Sequence, residues 1–127
     1  MKLWVDDVRP APDGYKWCRS VNETIKFIEA SERCVERCMN RGNKCFFNRD
    51  YKGRADCYEA ANKVAIVLID IDHDAGDFEN DGGDYIKLLD WLEETGRNYP
   101  IRIHSMNPVG VQNMRAIIKR NGWTEVK

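Results

Sequence analysis

The pattern of apolar and polar positions divides the chain into short apolar runs and longer stretches in which apolar residues recur at helical spacing. The most apolar run, residues 64–69, contains neither Gly nor Pro and is rich in β-branched side chains. This pattern predicts a strand that is buried on both faces in the middle of a parallel sheet. Four shorter strands are predicted at residues 2–5, 15–19, 101–103 and 123–127.

Helical periodicity follows three of these strands. Residues 20–33 begin with Ser20-Val-Asn-Glu23, which fits a capping box, and residues 84–95 are amphipathic. A third helix begins at Asn107-Pro108 and ends at Gly122. Strands that alternate with helices predict one α/β domain over residues 1–127, with a mostly parallel sheet covered on both faces. The polar segment at about 31–61 is predicted to be an insertion before the central strand.

The composition and net charge of the chain limit the kinds of partner that it is expected to bind. The 127 residues carry a net charge of −1, with 43% hydrophobic and 32% charged residues. These values indicate an ordinary globular domain, and they argue against an extended nucleic-acid surface or membrane binding driven by charge. No apolar stretch reaches membrane-spanning length and the N-terminus lacks a signal-peptide pattern, so a cytoplasmic location is expected.

Acidic side chains follow two predicted strands where each strand ends. The central strand runs into Asp70, Asp72, His73 and Asp74, and the first strand runs into Asp6 and Asp7. Ligands of open α/β sheets bind at this edge, and carboxylates there are costly to bury without a purpose. The candidate ligands of a Mg²⁺ or Mn²⁺ ion are Asp6, Asp7, Asp72 and Asp74. The alternative is that these residues are helix caps or solvated loop residues.

Other polar side chains predicted at the same edge of the sheet are of the types that bind phosphate or transfer protons. His73 and His104 are the only histidines, and each follows a predicted internal strand, so both are candidates for proton transfer. The alternative is that each simply hydrogen-bonds a neighbouring carboxylate. Candidate phosphate-binding residues are Arg9, Ser105 and Asn107. Asn107 is equally explained as a helix cap, and Arg9 as a partner of the first acidic pair.

Four cysteines lie in the predicted insertion, at Cys34, Cys38, Cys45 and Cys57. Four thiolates can close a structural zinc site, but the C-x3-C-x6-C-x11-C spacing is unlike that of familiar zinc modules. Free thiols remain the main alternative, followed by disulfides or another metal.

Four segments together resemble a known family: MKLWVDDVRPAPDGYKW, IDHDAGD, GGDYIKLLDWLEE and IRIHSMNPVG. They are similar to the cyclic-phosphate processing offshoot of the response-regulator receiver fold. The resemblance implies a receiver-like, flavodoxin-like Rossmannoid domain with a divalent-metal pocket. It matches Asp72 to the phospho-accepting aspartate and Ser105 to the Ser/Thr after the fourth strand. The first receiver helix is expected to be reduced or absent, since only residues 6–14 separate the first two strands. The last receiver helix is expected to be reduced or absent as well.

The resemblance also implies a function. It predicts a metal-dependent phosphoesterase that acts on a cyclic phosphate, either a cyclic nucleotide or a 2′,3′-cyclic RNA end. Asp6, Asp7 and Asp72 would hold the metal, with Asp74 as an additional candidate ligand, while His73, His104 and Asp72 take part in the reaction. Two alternatives stay open: a receiver-type switch phosphorylated on Asp72, and a protein that sequesters a phosphorylated ligand without turnover.

Overall fold

The structure is a computed structural model that describes all 127 residues. Its strands are β1 (Lys2–Val5), β2 (Tyr15–Cys18), β3 (Leu68–Ile71) and β4 (Ile101–Ile103). Its helices are α1 (Val21–Phe47), α2 (Tyr51–Val64), α3 (Ile86–Glu94) and α4 (Pro108–Asn121), with a 3₁₀ turn at Gly76–Phe78. The chain folds into two compact units: Met1–Lys26 with Ile66–Lys127, here the sheet unit, and Phe27–Ala65, here the hairpin unit.

The four strands form one parallel sheet in the order β2-β1-β3-β4. This order is that of the flavodoxin-like doubly wound fold, whose chain reverses direction between the first and third strands. The predicted α/β fold with a parallel sheet is therefore confirmed. Ligands of such folds bind at the carboxyl ends of the strands next to the reversal, which here are β1 and β3.

The core of the sheet unit explains why these segments form their elements. All four residues of β3 are buried, as expected for a central strand with both faces covered. α3 buries Leu88, Leu89 and Leu92, and α4, which contacts α3, buries Met114, Ile117 and Ile118. These positions recur every three or four residues, so each helix presents one apolar face to the core.

The central strand lies later in the sequence than the apolar run suggests. Residues 64–69 were predicted to form it, but Val64 is the last residue of α2 and Val67 is 52% exposed. Parallel pairing places Lys2 opposite Leu68 and Val5 opposite Ile71, which fixes β3 at 68–71. Asp70 therefore lies inside the strand, with no exposed surface, and does not follow it as the sequence suggested.

The predicted insertion is a pair of helices. α1 begins as expected, where Ser20 Oγ accepts a hydrogen bond from the Glu23 N–H at 3.0 Å, but it continues past residue 33 to Phe47. No proline interrupts residues 34–47, so the helix has no reason to end earlier. Within the hairpin unit, the Ser31 hydroxyl donates to the Val64 carbonyl and the Tyr58 hydroxyl to Asn43 Oδ1, which ties α1 to α2.

The length of α1 contradicts a zinc site made of all four cysteines. Cys34, Cys38 and Cys45 lie on this one helix, and all five cysteines of the chain are free thiols. At about 1.5 Å per residue, Cys34 and Cys45 are roughly 16 Å apart along the helix axis. Sulfur ligands of one tetrahedral zinc ion lie much closer together, since each Zn–S bond is only about 2.3 Å.

The links around the sheet agree with the predicted loss of the first receiver helix. Residues 6–14 join β1 to β2 as a loop without a helix. The last predicted strand, residues 123–127, is reduced to a single parallel bridge between Glu125 and Ile101. No helix of the structure is long and apolar enough to cross a bilayer.

Candidate functional site

Side chains from the ends of three strands meet at the carboxyl edge of the sheet. Asp6 follows β1, Asp72 follows β3 and His104 follows β4, so the parallel topology brings them to one place. One potential ligand atom from each of these three residues lies within 4.8 Å of the others. This group, called the Asp6 cluster below, contains three of the residues that the sequence predicted for the site.

Asp6 is the most enclosed member of the cluster, with 1% of its surface exposed. Its Oδ1 accepts hydrogen bonds from the backbone N–H groups of Val8 and Arg9, at 2.9 and 2.7 Å. Burial alone would raise the pKa of the Asp6 carboxyl, but these two N–H groups, His104 and the Arg9 charge outweigh it and lower the pKa. Asp6 is therefore a carboxylate held in its ionised form.

The loop after β1 places Arg9 between two carboxylates. Arg9 Nε donates to Asp6 Oδ2 at 2.8 Å, and Arg9 Nη2 donates to Asp72 Oδ2 at 3.1 Å and to the His104 carbonyl at 3.2 Å. Two indoles hold the loop, since Trp4 Nε1 donates to the Arg9 carbonyl and Trp17 Nε1 to the Asp6 carbonyl. The Arg9 side chain is still 46% exposed, so its guanidinium is within reach of an anion from solvent.

His104 is fixed on three sides. Its Nδ1 lies 2.6 Å from Asp70 Oδ1, its Nε2 lies 3.1 Å from Asp6 Oδ2, and its ring stacks on Trp4 with centroids 3.8 Å apart and planes 2° apart. Only 10% of the side chain is exposed. A neutral imidazole carries a single N–H, so it can donate to only one of these two carboxylates at a time.

Sequence reasoning missed Asp70 and Trp4 as members of this site. Asp70 was seen, but it was placed after the strand and left out of the site residues, and Trp4 was treated as a core or rim residue. The register supplies the missing signal: Trp4 pairs with Asp70, and Asp70 pairs with Arg102, so these side chains share one face of the sheet. His104 comes two residues after Arg102 and returns to that face.

His73 belongs to a second hydrogen-bonded group. Its Nδ1 lies 2.9 Å from Asp74 Oδ1 and 3.4 Å from the side-chain amide of Asn107. Asn107 also caps α4, because its Oδ1 accepts from the Gly110 N–H at 3.0 Å. The His73 ring packs directly on Gly110, where an added Cβ would overlap it. Both roles weighed for Asn107, helix cap and site residue, are thus compatible.

Two of the predicted site residues have other contacts. The Asp7 carboxylate lies against Gly76, so close that a Cβ there would collide with it, and the Asp7 carbonyl accepts from Arg19. Ser105 Oγ accepts a hydrogen bond from the Asn107 N–H at 3.1 Å, which shapes the turn before α4. Neither Asp7 nor Asp74 is part of the Asp6 cluster.

The Asp6 cluster has the donor atoms for a divalent metal. Two carboxylates and one imidazole form a mixed oxygen and nitrogen set, which suits Mn²⁺ at least as well as Mg²⁺. Arg9, however, already donates to the facing oxygens of Asp6 and Asp72. A cation that binds both carboxylates would compete with the Arg9 guanidinium for these oxygens, and the exposure of this side chain leaves it room to move.

One comparison with known proteins identifies a family for this chain. A family model for the cyclic-phosphate processing receiver domain matches residues 1–40 and 43–120. The matched residues include most of the helical hairpin, which the resemblance seen in the sequence had left out. No curated protein and no solved structure matches the chain significantly.

Proposed function

Because the chain belongs to the family of cyclic-phosphate processing receiver domains, we propose that it hydrolyses a cyclic phosphate at the Asp6 cluster. The observation that carries the proposal is the setting of His104, which has a carboxylate at each ring nitrogen and lies beside an exposed arginine. A merely structural histidine needs one partner, whereas proton transfer needs a held ring close to an anion site.

Arg9 is the proposed phosphate-binding residue. Its guanidinium spans Asp6 and Asp72 and remains partly exposed, and a planar donor fork fits two phosphate oxygens. The first turn of α4 adds backbone N–H groups at the same edge of the sheet, where Ser105 and Asn107 precede the helix. These groups would hold a phosphate monoanion next to both histidines.

The two histidines take opposite roles in the proposed reaction. We assign the proton of neutral His73 to Nδ1, which faces the Asp74 carboxylate, and this leaves Nε2 as the base that accepts a proton from water. The water oxygen forms a bond to phosphorus while one of the two ring P–O bonds breaks. His104, as an imidazolium, gives its proton to the leaving oxygen. The product is an acyclic phosphate monoester with a free hydroxyl.

A divalent ion, where the protein binds one, would be held by Asp6 and Asp72 and would add positive charge against the phosphate oxygens. Asp6 is suited to this because its low pKa keeps it ionised. Asp72 is suited because 14% of its side chain is exposed and it faces the same space as Asp6. Asp7 and Asp74, which the sequence also suggested as ligands, would act only through their neighbours.

The test is a hydrolysis assay on 2′,3′-cyclic nucleotides, 3′,5′-cyclic nucleotides and an oligoribonucleotide with a 2′,3′-cyclic end. Each is assayed with Mn²⁺, with Mg²⁺ and with a chelator. We expect ring opening of at least one substrate, and a loss of about 10²–10⁴-fold in kcat for His104→Gln, as for removal of a general acid. Equal rates for the wild type and His104→Gln would reject the assigned role.

The same samples separate the alternatives. Turnover of no substrate, together with a higher melting temperature in the presence of one of them, would identify a protein that sequesters a cyclic phosphate. If no substrate is turned over and none raises the melting temperature, Asp72 becomes the candidate phospho-accepting residue. Incubation with acetyl phosphate and Mg²⁺, followed by intact-mass measurement of the wild type and of Asp72→Asn, tests that reading directly.

A further inference from the structure

The tip of the helical hairpin carries a large positive net charge, whereas the whole chain is nearly neutral. Between residues 37 and 54 there are six basic side chains and a single acidic one, a net charge of +5, against −1 for the complete chain. The basic residues are Arg37, Arg41, Lys44, Arg49, Lys52 and Arg54. None of them forms an ion pair, and all except Arg54 are exposed. The charge at this tip is therefore available to an anionic partner.

The only acidic residue of the tip is already engaged. Asp50 caps α2, since its Oδ1 accepts a hydrogen bond from the Gly53 N–H at 2.9 Å. A carboxylate at the N-terminus of a helix is neutralised in part by the helix dipole. The Asp50 carboxylate is thus occupied by the helix cap and pairs with none of the six basic side chains.

Aromatic rings stand among these charges. Phe47 is 83% exposed, Tyr51 is 62% exposed and Phe46 is 50% exposed. A hairpin that served only as a scaffold would gain nothing from exposing three rings at its end, since burial of each is favourable. Exposed rings beside arginines are the combination on which unpaired bases stack.

A shallow pocket adjoins these rings. It measures about 240 Å³ and is lined by Tyr51, Arg54, Ala55 and Tyr58. The Arg54 guanidinium lies 4.8 Å from the Phe46 ring and 5.2 Å from the Tyr58 ring, and Tyr58 is itself held by Asn43. This pocket is smaller than the roughly 300–1,000 Å³ that a drug-sized ligand needs, so it suits one planar ring.

We propose that the tip formed by residues 37–54, with Ala55 and Tyr58, binds single-stranded nucleic acid. The exposed basic side chains contact successive phosphates, while Phe47 and Tyr51 stack on bases and the pocket takes one base. Single strands fit better than a duplex, because the rings need unpaired bases. The proposal replaces the expectation, drawn from the net charge, that the protein has no nucleic-acid surface. It stands whether or not the Asp6 cluster hydrolyses a phosphate.

The experiment measures fluorescence anisotropy of labelled oligouridylate and oligothymidylate of about 12 nucleotides, a length within the range bound by small single-strand-binding domains. We expect binding of both oligonucleotides at low salt, with log K falling by about 0.7 per phosphate contacted for each unit of log salt. Phe47→Ala and Tyr51→Ala should each weaken binding about tenfold or more. Their side chains are exposed, so circular dichroism should show an unchanged helix content.

Matched variants distinguish charge at the tip from charge in general. The double variant Arg49→Glu, Lys52→Glu should weaken binding and flatten the salt dependence. Lys63→Ala is the control, because this lysine lies on α2 outside the tip and pairs with Glu59 at 3.5 Å. It should bind like the wild type. Three results would each overturn the proposal: no binding at low salt, full binding by Phe47→Ala and Tyr51→Ala, or preference for phosphatidylserine vesicles over the oligonucleotides.

Discussion

His104 is the residue in which burial, charge and geometry combine most clearly. Both of its ring nitrogens face carboxylates, and only the imidazolium form can donate to Asp70 and Asp6 at the same time. Asp70 has no exposed surface, and its other nearby cation, Arg102 Nη1, is 3.4 Å away. His104 Nδ1 is therefore the closest hydrogen-bond partner of a carboxylate that water cannot reach.

Asp70→Asn should show whether activity needs the His104 ring to be held in position by Asp70, and not only to be present. The asparagine keeps the shape but offers a neutral amide to Nδ1, so the ring loses the carboxylate that orients it at 2.6 Å. We expect kcat for cyclic-phosphate hydrolysis to fall about 10–100-fold, as when a partner that orients a functional histidine is removed, while KM changes little. A loss of kcat no larger than the loss of folded protein would mean that Asp70 only stabilises the fold.

Gly110→Ala tests the placement of His73. Alanine is a better helix former than glycine by about 1 kcal/mol, so the melting temperature should not fall through α4 itself. The new Cβ overlaps the His73 ring, which must move, and a displacement of about 1 Å can cost about 10²-fold in rate. We expect lost activity in a folded protein. Gln112→Ala, at an exposed position of the same helix, is the control, and full activity of Gly110→Ala would contradict the role of His73.

At the scale of elements, the contact between α1 and α2 depends on one glycine. Gly42 is buried within α1, and a Cβ there would overlap the ring of Tyr58 on α2. We predict that Gly42→Ala destabilises the hairpin in spite of the helix propensity of alanine, because the two helices must separate. Asn40→Ala, at an exposed position two residues earlier, should be neutral or slightly stabilising. Urea denaturation followed by circular dichroism at 222 nm compares them, and greater stability of Gly42→Ala would disprove the contact.

Elements with a strong local signal were predicted from the sequence, and so were β1 and β4, whereas the bounds of β3, which depend on pairing, were not. The capping box at Ser20 and the Asn107-Pro108 start marked two helices, because both act through neighbours in the chain. The bounds of β3 depend on which residues face Lys2–Val5, and no local pattern carries that register. The shift moved Asp70 into the core and hid its contact with His104. Similarly, the end of α1 could not be predicted from a polar stretch that contains no proline and in which Gly42 lies inside the helix.

At the scale of the whole molecule, charge is distributed unevenly between the tip of the hairpin and the rest of the chain. The tip of the hairpin unit carries +5, so the remaining residues together carry −6. The acidic share includes the carboxylates at the edge of the sheet, where Arg9 and His104 compensate Asp6, Asp70 and Asp72. A net charge near zero therefore conceals a basic tip on the hairpin and an acidic edge of the sheet.

Acid stability of the whole protein should depend on Asp6. Its pKa is lower in the folded protein than the ordinary value of 3.8, so it stabilises the fold above that value, and this contribution is lost as the pH falls through the folded pKa. Asp6→Asn should lower the free energy of unfolding near neutral pH. The gap from the wild type should then shrink below about pH 5, where the wild-type carboxylate begins to lose its advantage. Urea titrations across this range measure both curves.

The matched control for this prediction is Asp13→Asn, which changes an exposed carboxylate on the same loop. It removes a charge from this loop but none of the hydrogen bonds that Asp6 accepts, so its free energy of unfolding near neutral pH should stay close to that of the wild type. A gap between the wild type and Asp6→Asn that stays constant on acidification would show that the asparagine disturbs packing and not the ionised state. In that case Asp6 would not hold the charge on which both the Arg9 contact and the proposed metal site depend.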